Sequence, residues 1–130
     1  MAVYHEAFQV ASGQRISFDD VTERVQEIVK RSGIRNGLVN VFSQHTSCCV
    51  FLQEDSEDVT YNHVPLLLQD MVNVLEGVIP KCEYEGQYLH PGPVHTENAQ
   101  RLRDEKSEWL LNTDGHLRSV LLGRTETIPL

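Results

Sequence analysis

The chain has 130 residues, a length that suits one domain, and 19 acidic against 11 basic side chains give it a formal net charge of −8. That acidic balance argues against a nucleic-acid or anionic-membrane surface, because both need clustered cations. Since no apolar run approaches the roughly 20 residues that span a bilayer, and the first residues lack the pattern of a signal peptide, we expect a cytoplasmic protein that binds neither nucleic acid nor membrane.

The N-terminal part of the chain predicts one helix among short strands. Residues 4–10 alternate loosely in hydrophobicity, as an edge strand does. Residues 17–32 carry apolar side chains at helical spacing, and Gly33 is suited to end that helix. Residues 38–42 and 47–52 are rich in Val, Phe and Cys, which predicts two further strands.

The middle of the chain predicts helices around a long loop. Two helical pieces are expected on either side of Pro65, the second with an apolar stripe over residues 67–75 that indicates core packing. Residues 81–97 are rich in Gly, Pro and aromatic side chains and predict a long ordered loop, a kind of segment that is usually functional. A short polar helix is expected over residues 96–106.

The segment NTDGHLRSVLLG concentrates polar side chains before an apolar helix. With Asp114 as the N-cap, the first turn would present unpaired N–H groups and a positive dipole end, which favour an anion. Arg118 and Ser119 lie just beyond that turn. The same dipole favours neutral His116, fit to act as a base or metal ligand. Simple helix capping with a solvated histidine is the alternative, and an alternating strand is expected to close the chain.

Other candidate side chains follow the central strands. His45 stands beside the hydroxyls of Thr46 and Ser47, and Glu54 ends the next predicted strand. His90 and His95 lie in the predicted loop, where their spacing is weak support for a metal. The residues alone leave three classes open: an enzyme acting on a phosphorylated small molecule, a binding module with the same pocket, and an oligomer subunit whose polar cluster satisfies an interface.

Three segments together resemble the YjbQ-like family, described as secondary thiamine-phosphate synthases. They are NVFSQHTSCCVFLQED, YLH and NTDGHLRSVLLGRTETIPL. The last resembles the family signature Asn-x-Asp-x-His-Leu-x-x-x-Leu-Leu-Gly-x-Ser-x-x-x-Pro. The resemblance implies an α+β fold with a mainly antiparallel sheet packed by helices, assembled as a homotrimer with pockets near subunit contacts. The implied reaction joins a hydroxymethylpyrimidine diphosphate to a thiazole phosphate, giving thiamine phosphate and free diphosphate.

The resemblance also implies a set of site residues for a phosphorylated small-molecule substrate. The implied catalytic residues are His45, Glu54, Asp114 and His116. Asn112 is an implied substrate-binding residue, and on physical grounds Thr46, Ser47, Arg118 and Ser119 are expected to bind phosphate by supplying donors for the leaving diphosphate. His45, His90 and His116 are the candidate ligands of a divalent metal, either zinc, which suits imidazoles, or magnesium, which would prefer the carboxylates of Glu54 and Asp114. The alternative is a metal-dependent hydrolase or a non-catalytic trimeric ligand-binding protein that uses the same His-rich pocket.

Three features depart from the family pattern. Ser47 replaces the more common second Thr but keeps the hydroxyl. The segments HPGPVH and EKSEWLL make a longer loop than many members have, which bears on the size of the substrate. The family usually continues beyond Leu130 through further strands, so residues 1–130 are expected to form a single YjbQ-like domain that lacks them, with an unpaired sheet edge.

Overall fold

The computed structural model describes residues 2–130, and it confirms the predicted α+β class. In chain order its elements are α1 (Thr22–Ser32), β1 (Leu38–Phe42), α2 (Leu66–Val78), α3 (Pro93–Arg103), a 3-10 turn (Ser107–Leu110), α4 (Thr113–Leu122) and β2 (Thr125–Pro129). The chain divides into two compact units, residues 2–41 with Thr127–Leu130, and Phe42–Glu126. No helix within residues 2–130 is long and apolar enough to cross a bilayer.

Helix α1 forms where the sequence predicts it, but it begins five residues later than expected. Its first N–H group, on Thr22, donates to Asp20 Oδ1 at 2.9 Å, so Asp20 provides the start signal. The predicted end is confirmed, because Gly33 adopts a left-handed φ of 68° and its N–H group bonds to Lys30 O. The apolar face of α1 is half-buried at most, and no residue of the helix is fully buried.

The predicted N-terminal edge strand is wrong. Residues 4–10 are extended but belong to no strand, because their polar groups bind arginines of α1 instead of a neighbouring strand. Arg31 forms an ion pair with Glu6 at 2.6 Å, and Arg24 donates to Gln9 O at 3.1 Å. A loosely alternating pattern does not by itself supply the hydrogen-bonding partner that a strand needs.

The sheet is smaller than expected, since β1 and β2 form an antiparallel pair and are its two strands within residues 2–130. The register is fixed inside the first unit by Asn40 Nδ2 donating to Thr127 Oγ1 at 2.9 Å. In the second unit Ser43 N donates to Arg124 O at 2.9 Å. The predicted strand over residues 47–52 is wrong, because a turn at residues 45–48 directs this segment past Gly123 with one backbone bond, from Val50 N to Gly123 O.

Helix α2 carries the predicted apolar stripe and begins directly after Pro65. The expected helix before Pro65 is wrong, since residues 56–65 form turns closed by a bridge between Val59 and Pro65. Leu75 is the fully buried residue of α2. The stripe therefore packs inward along one line of the helix, while Val74 and Val78 remain 66 % and 68 % exposed.

Helices α3 and α4 complete the core of the second unit. Helix α3 starts at Pro93, three residues earlier than predicted, so residues 93–97 are helical and not loop. Buried residues of this unit come from α2, α3, α4 and the segments between them: Leu75, Cys82, Ala99, Leu110, Thr113, Asp114, Arg118 and Ser119. Half of that set is polar, and all of its polar members lie on α4.

Candidate functional site

The first turn of α4 is the centre of the candidate site. Asn112 occupies the N-cap position, and its side chain does not cap the helix, because Nδ2 donates to Trp109 O at 3.1 Å. The N-cap predicted at Asp114 is therefore misplaced by two residues, and Asp114 lies inside the first turn, 3 % exposed. The helix's own bonding starts with His116 N donating to Asn112 O at 3.3 Å, so the positive dipole end falls at residues 113–115.

The turn at residues 45–48 orients His45. It is closed by Cys48 N donating to His45 O at 3.1 Å. Ser47 N donates to His45 Nδ1 at 3.2 Å, and Ser47 Oγ lies 2.9 Å from the same nitrogen. Because a backbone N–H group only donates, Nδ1 is an acceptor, and the neutral ring carries its proton on Nε2. His45 consequently presents an N–H donor on its exposed edge.

His116 brings α4 against this turn and takes the opposite tautomer. Its Nδ1 lies 3.3 Å from the carbonyl oxygen of Thr46, which can only accept, so Nδ1 carries the proton and Nε2 keeps a lone pair. Gly115 allows the close approach, since a Cβ there would lie 3.4 Å from Ser47 Cβ. The predicted neighbours His45, Thr46, Ser47 and His116 are thus brought together, with a donor on one ring and an acceptor on the other.

A second group of rings adjoins α4. The rings of His90 and His95 meet edge to face with centroids 4.7 Å apart, and those of His90 and His116 do so at 6.0 Å. We call His90, His95 and His116 the histidine cluster. Thr113 Oγ1 donates to His90 O at 2.7 Å, which ties the loop to the start of α4. Partial burial lowers the pKa of His90 below its ordinary 6.5, and repulsion from His95 and His116 lowers it further, so the ring is neutral at pH 7.

Arg118 and Ser119, the predicted phosphate donors, bond to the protein itself in this structure. The Arg118 guanidinium, 8 % exposed, donates to Glu76 Oε2 at 2.7 Å and to Ile79 O at 2.7 and 3.1 Å. Ser119 Oγ donates to Cys48 O at 2.5 Å. These bonds fasten α4 to the end of α2 and to the His45 turn.

Glu54 lies in a different setting from the histidines. It lines a shallow groove of about 360 Å³ with Asp55, Ser56, Leu66, Leu67 and Asp70, and the histidine cluster is not among the lining residues. The predicted catalytic role of Glu54 stays a prediction.

The metal prediction also stays a prediction. Imidazoles suit zinc, but among residues 2–130 no three His, Cys, Asp or Glu side chains are arranged to hold an ion. The third ring of the cluster belongs to His95, which contacts His90, whereas the Nδ1 atom of His45 faces Ser47. Because the residues as arranged do not form such a centre, the chemistry below relies on the chain's own groups.

Sequence reasoning left His95 and Thr113 out of the site. The signal for His95 was the Pro-Gly-Pro stretch before it, since Pro at the first helical position starts a helix and fixes the ring in its first turn. Thr113 carried no signal, because its role depends on the carbonyl group of His90, 23 residues away in the sequence.

The comparisons with known proteins concern the family and the fold of the chain. Residues 6–130 match the model of the family described as UPF0047 protein YjbQ-like. A UPF0047 protein of Methanothermobacter thermautotrophicus is 32 % identical over 130 residues, which cover 100 % of this chain and 72 % of the relative. The UPF0047 protein sll1880 of Synechocystis is 26 % identical over 126 residues, covering 97 % and 69 %.

A solved structure gives the same picture at the level of fold. It is the crystal structure of an uncharacterised conserved protein of the YjbQ/UPF0047 family from Clostridium acetobutylicum, with a TM-score of 0.64, 21 % identity, and coverage of 93 % of this chain and 72 % of that one. With the family model spanning nearly all of the sequence, the chain belongs to the YjbQ-like UPF0047 family.

Proposed function

We propose that this protein is a transferase that joins a hydroxymethylpyrimidine diphosphate to a thiazole phosphate, forming thiamine phosphate. The observation that carries the proposal is the contact between the first turn of α4 and the His45 turn, where His116 Nδ1 meets Thr46 O at 3.3 Å. That contact sets one imidazole donor and one imidazole acceptor beside the positive end of a helix. The reaction class itself comes from the family resemblance.

The diphosphate leaving group would lie at the start of α4. In the reaction the thiazole nitrogen forms a bond to the pyrimidine methylene carbon, and the bond from that carbon to the diphosphate oxygen breaks with its electron pair. The departing oxygens gain negative charge, so donors that already point at them lower the barrier. The helix dipole, the Thr46 hydroxyl and the exposed N–H edge of His45 supply such donors, while the Ser47 hydroxyl is engaged with His45 Nδ1.

The pyrimidine ring would be oriented by acceptors on the other side of the same turn. His116 Nε2 keeps its lone pair because Nδ1 faces a carbonyl oxygen, so it can accept an N–H group of the pyrimidine. Asn112 Oδ1 is buried without a hydrogen-bond partner. Since buried acceptors are nearly always satisfied, a donor from a bound ligand that reaches the N-cap is a suitable partner.

We also propose that the protein works as a homotrimer. In the second unit a groove of about 600 Å³ is lined by apolar side chains, among them Phe51, Leu52, Met71, Val74 and Leu122, of which Leu52 and Val74 are exposed. A contiguous apolar surface of this kind is typical of a protein–protein contact. The trimer itself is implied by the family resemblance, and the groove is the surface on this chain that suits it.

The test is thiamine phosphate formation from the two phosphorylated precursors, measured for the wild type, His45→Ala and His116→Ala, with Mg²⁺, with zinc and with a chelator. We expect turnover in the wild type and a loss of at least about a hundredfold in each variant, in the range of positioned imidazoles. His63→Asn is the matched control, because His63 is exposed and its left-handed φ of 60° suits Asn. Tight binding of a precursor without turnover would instead indicate the ligand-binding alternative.

A further inference from the structure

Helix α3 delivers a further histidine to the site. Residues between His90 and Asn112 form α3 and the 3-10 turn. In the first turn of α3, His95 lies with its ring 4.7 Å from that of His90. His90 in turn contacts His116 at 6.0 Å. The three rings therefore form a row that starts at the positive end of α4 and extends outward onto α3.

His95 is held in place by the backbone of a packed helix. Thr96 N and Thr96 Oγ1 both bond to Gly92 O, at 3.0 and 3.1 Å, which closes the first turn of α3. Ala99, one turn further on, is completely buried. At the other side of the row, Thr113 Oγ1 fixes the His90 backbone at 2.7 Å. These anchors fix the backbone at His90 and His95, and the His95 side chain is exposed.

The row suits an anion longer than one phosphoryl group. The N–H group of the His116 ring faces Thr46 O, so the donors of this row are the first-turn N–H groups of α4 and then the rings of His90 and His95. One tetrahedral anion at the start of α4 would reach the first-turn N–H groups, whereas the His90 and His95 rings, 4.7 Å apart, extend the donors beyond it. An imidazole offers an N–H donor to phosphoryl oxygen. Asp114, the acidic side chain of that turn, is 3 % exposed and presents little surface to an anion. A linear anion with two phosphoryl groups fits this row better than a single phosphate does.

We propose that His95 is a further ligand-binding residue of this site, donating an imidazole N–H to the second phosphoryl group of a diphosphate-bearing ligand. The inference rests on the proposed function, which places the first phosphoryl group at the start of α4. It makes helix α3 a determinant of specificity for diphosphates over monophosphates.

The test compares inorganic diphosphate with inorganic phosphate as calorimetric probes of the whole chain. His95→Phe keeps a ring against His90 but removes the donor, so we expect about a tenfold loss of diphosphate affinity and an unchanged phosphate affinity. His95→Gln restores an N–H donor and should recover part of the affinity. His63→Asn, exposed and outside the cluster, should bind both probes as the wild type does.

The outcomes separate this inference from the proposed function. Unchanged diphosphate affinity in His95→Phe, or an equal loss for both anions, would overturn the role of His95 even if the wild type forms thiamine phosphate. Diphosphate binding that depends on His95, in a protein that forms no thiamine phosphate, would support the binding role while removing the proposed reaction. If the Phe variant unfolds, the same comparison with His95→Gln against His95→Ala decides the question.

Discussion

Backbone groups set the tautomers of His45 and His116, the two histidines beside the start of α4. Ser47 N–H makes Nδ1 of His45 an acceptor, and Thr46 C=O makes Nδ1 of His116 a donor. The Nε2 atom of neutral His45 is therefore a donor, and the Nε2 atom of neutral His116 is an acceptor. A donor–acceptor pair defined in this way depends on the geometry of the 45–48 turn as much as on the rings.

Ser47 is the residue whose hydroxyl group tests that dependence. Its Oγ atom lies 2.9 Å from His45 Nδ1, so Ser47→Ala removes a hydrogen-bond partner of the ring while leaving the backbone donor. We expect the kcat/KM for thiamine phosphate formation to fall about fivefold, as for the loss of one modest hydrogen bond. Ser47→Thr keeps the hydroxyl group and is the matched control. A Thr variant as impaired as the Ala variant would show that the hydroxyl group is not what matters.

The family resemblance predicted that His90, His116 and the His45 turn lie in one site, but no local pattern indicated what Arg118 and Ser119 bind. His116 comes from the signature segment and His45 from the separate His-Thr-Ser segment. Arg118 looked like an anion donor from its place on α4, yet its guanidinium bonds to Glu76 and Ile79, which lie about 40 residues earlier in the chain. No local pattern reports such a partner, since it depends on how α2 ends against α4.

At the scale of elements, the end of α2 is held by a network of charged and backbone groups. Glu76 accepts from Lys81 N at 2.9 Å and from Arg118 at 2.7 Å. Gln87 donates to Lys81 O and accepts from Glu83 N, and Tyr88 donates to Pro80 O. These bonds fix the loop that runs from the end of α2 to His90. They hold this loop, α2 and α4 in fixed positions relative to one another.

This network predicts that the free energy of unfolding decreases at acidic pH. The Lys81 N–H group, followed by Arg118, lowers the pKa of Glu76 below its ordinary 4.5. A carboxyl group whose folded-state pKa is depressed contributes stability that is fully present above pH 4.5 and is lost as the pH falls through the folded-state value. We expect the urea midpoint of the wild type to fall between about pH 5 and 3 more steeply than that of Glu76→Gln. Equal slopes would mean that the ion pair does not contribute.

The elements themselves were predictable to different degrees for physical reasons. Helices α1, α2 and α4 and strand β2 follow from apolar periodicity and from end signals such as Gly33 and Gly123. Residues 47–52 have the composition of a strand, but a strand also needs a neighbouring strand aligned along it. Within residues 2–130 this segment makes one backbone bond to the end of α4, from Val50 N to Gly123 O, in place of such a pairing. Strand propensity describes side-chain packing, whereas pairing is decided by distant segments.

For the whole molecule, the most informative feature is the amount of apolar side chain left exposed. In the second unit Leu52, Val74 and Leu122 line the groove described above, and Leu52 and Val74 are 65 % and 66 % exposed. Isolated exposed apolar residues are ordinary, but a contiguous lined surface indicates contact with another protein surface. That surface is where we expect the copies of a homotrimer to meet.

Helix α2 offers a matched pair of substitutions to test this contact. Val74 lines the groove, whereas Val78, 68 % exposed on the same helix, is not among its lining residues. A carboxylate at a buried contact is uncompensated, so Val74→Asp should shift the sedimentation velocity profile from trimer toward monomer. Val78→Asp adds the same charge to the same helix and should leave the trimer intact. If both variants sediment as the wild type, the groove is not the trimer contact; if both dissociate, the contact is broader than the groove.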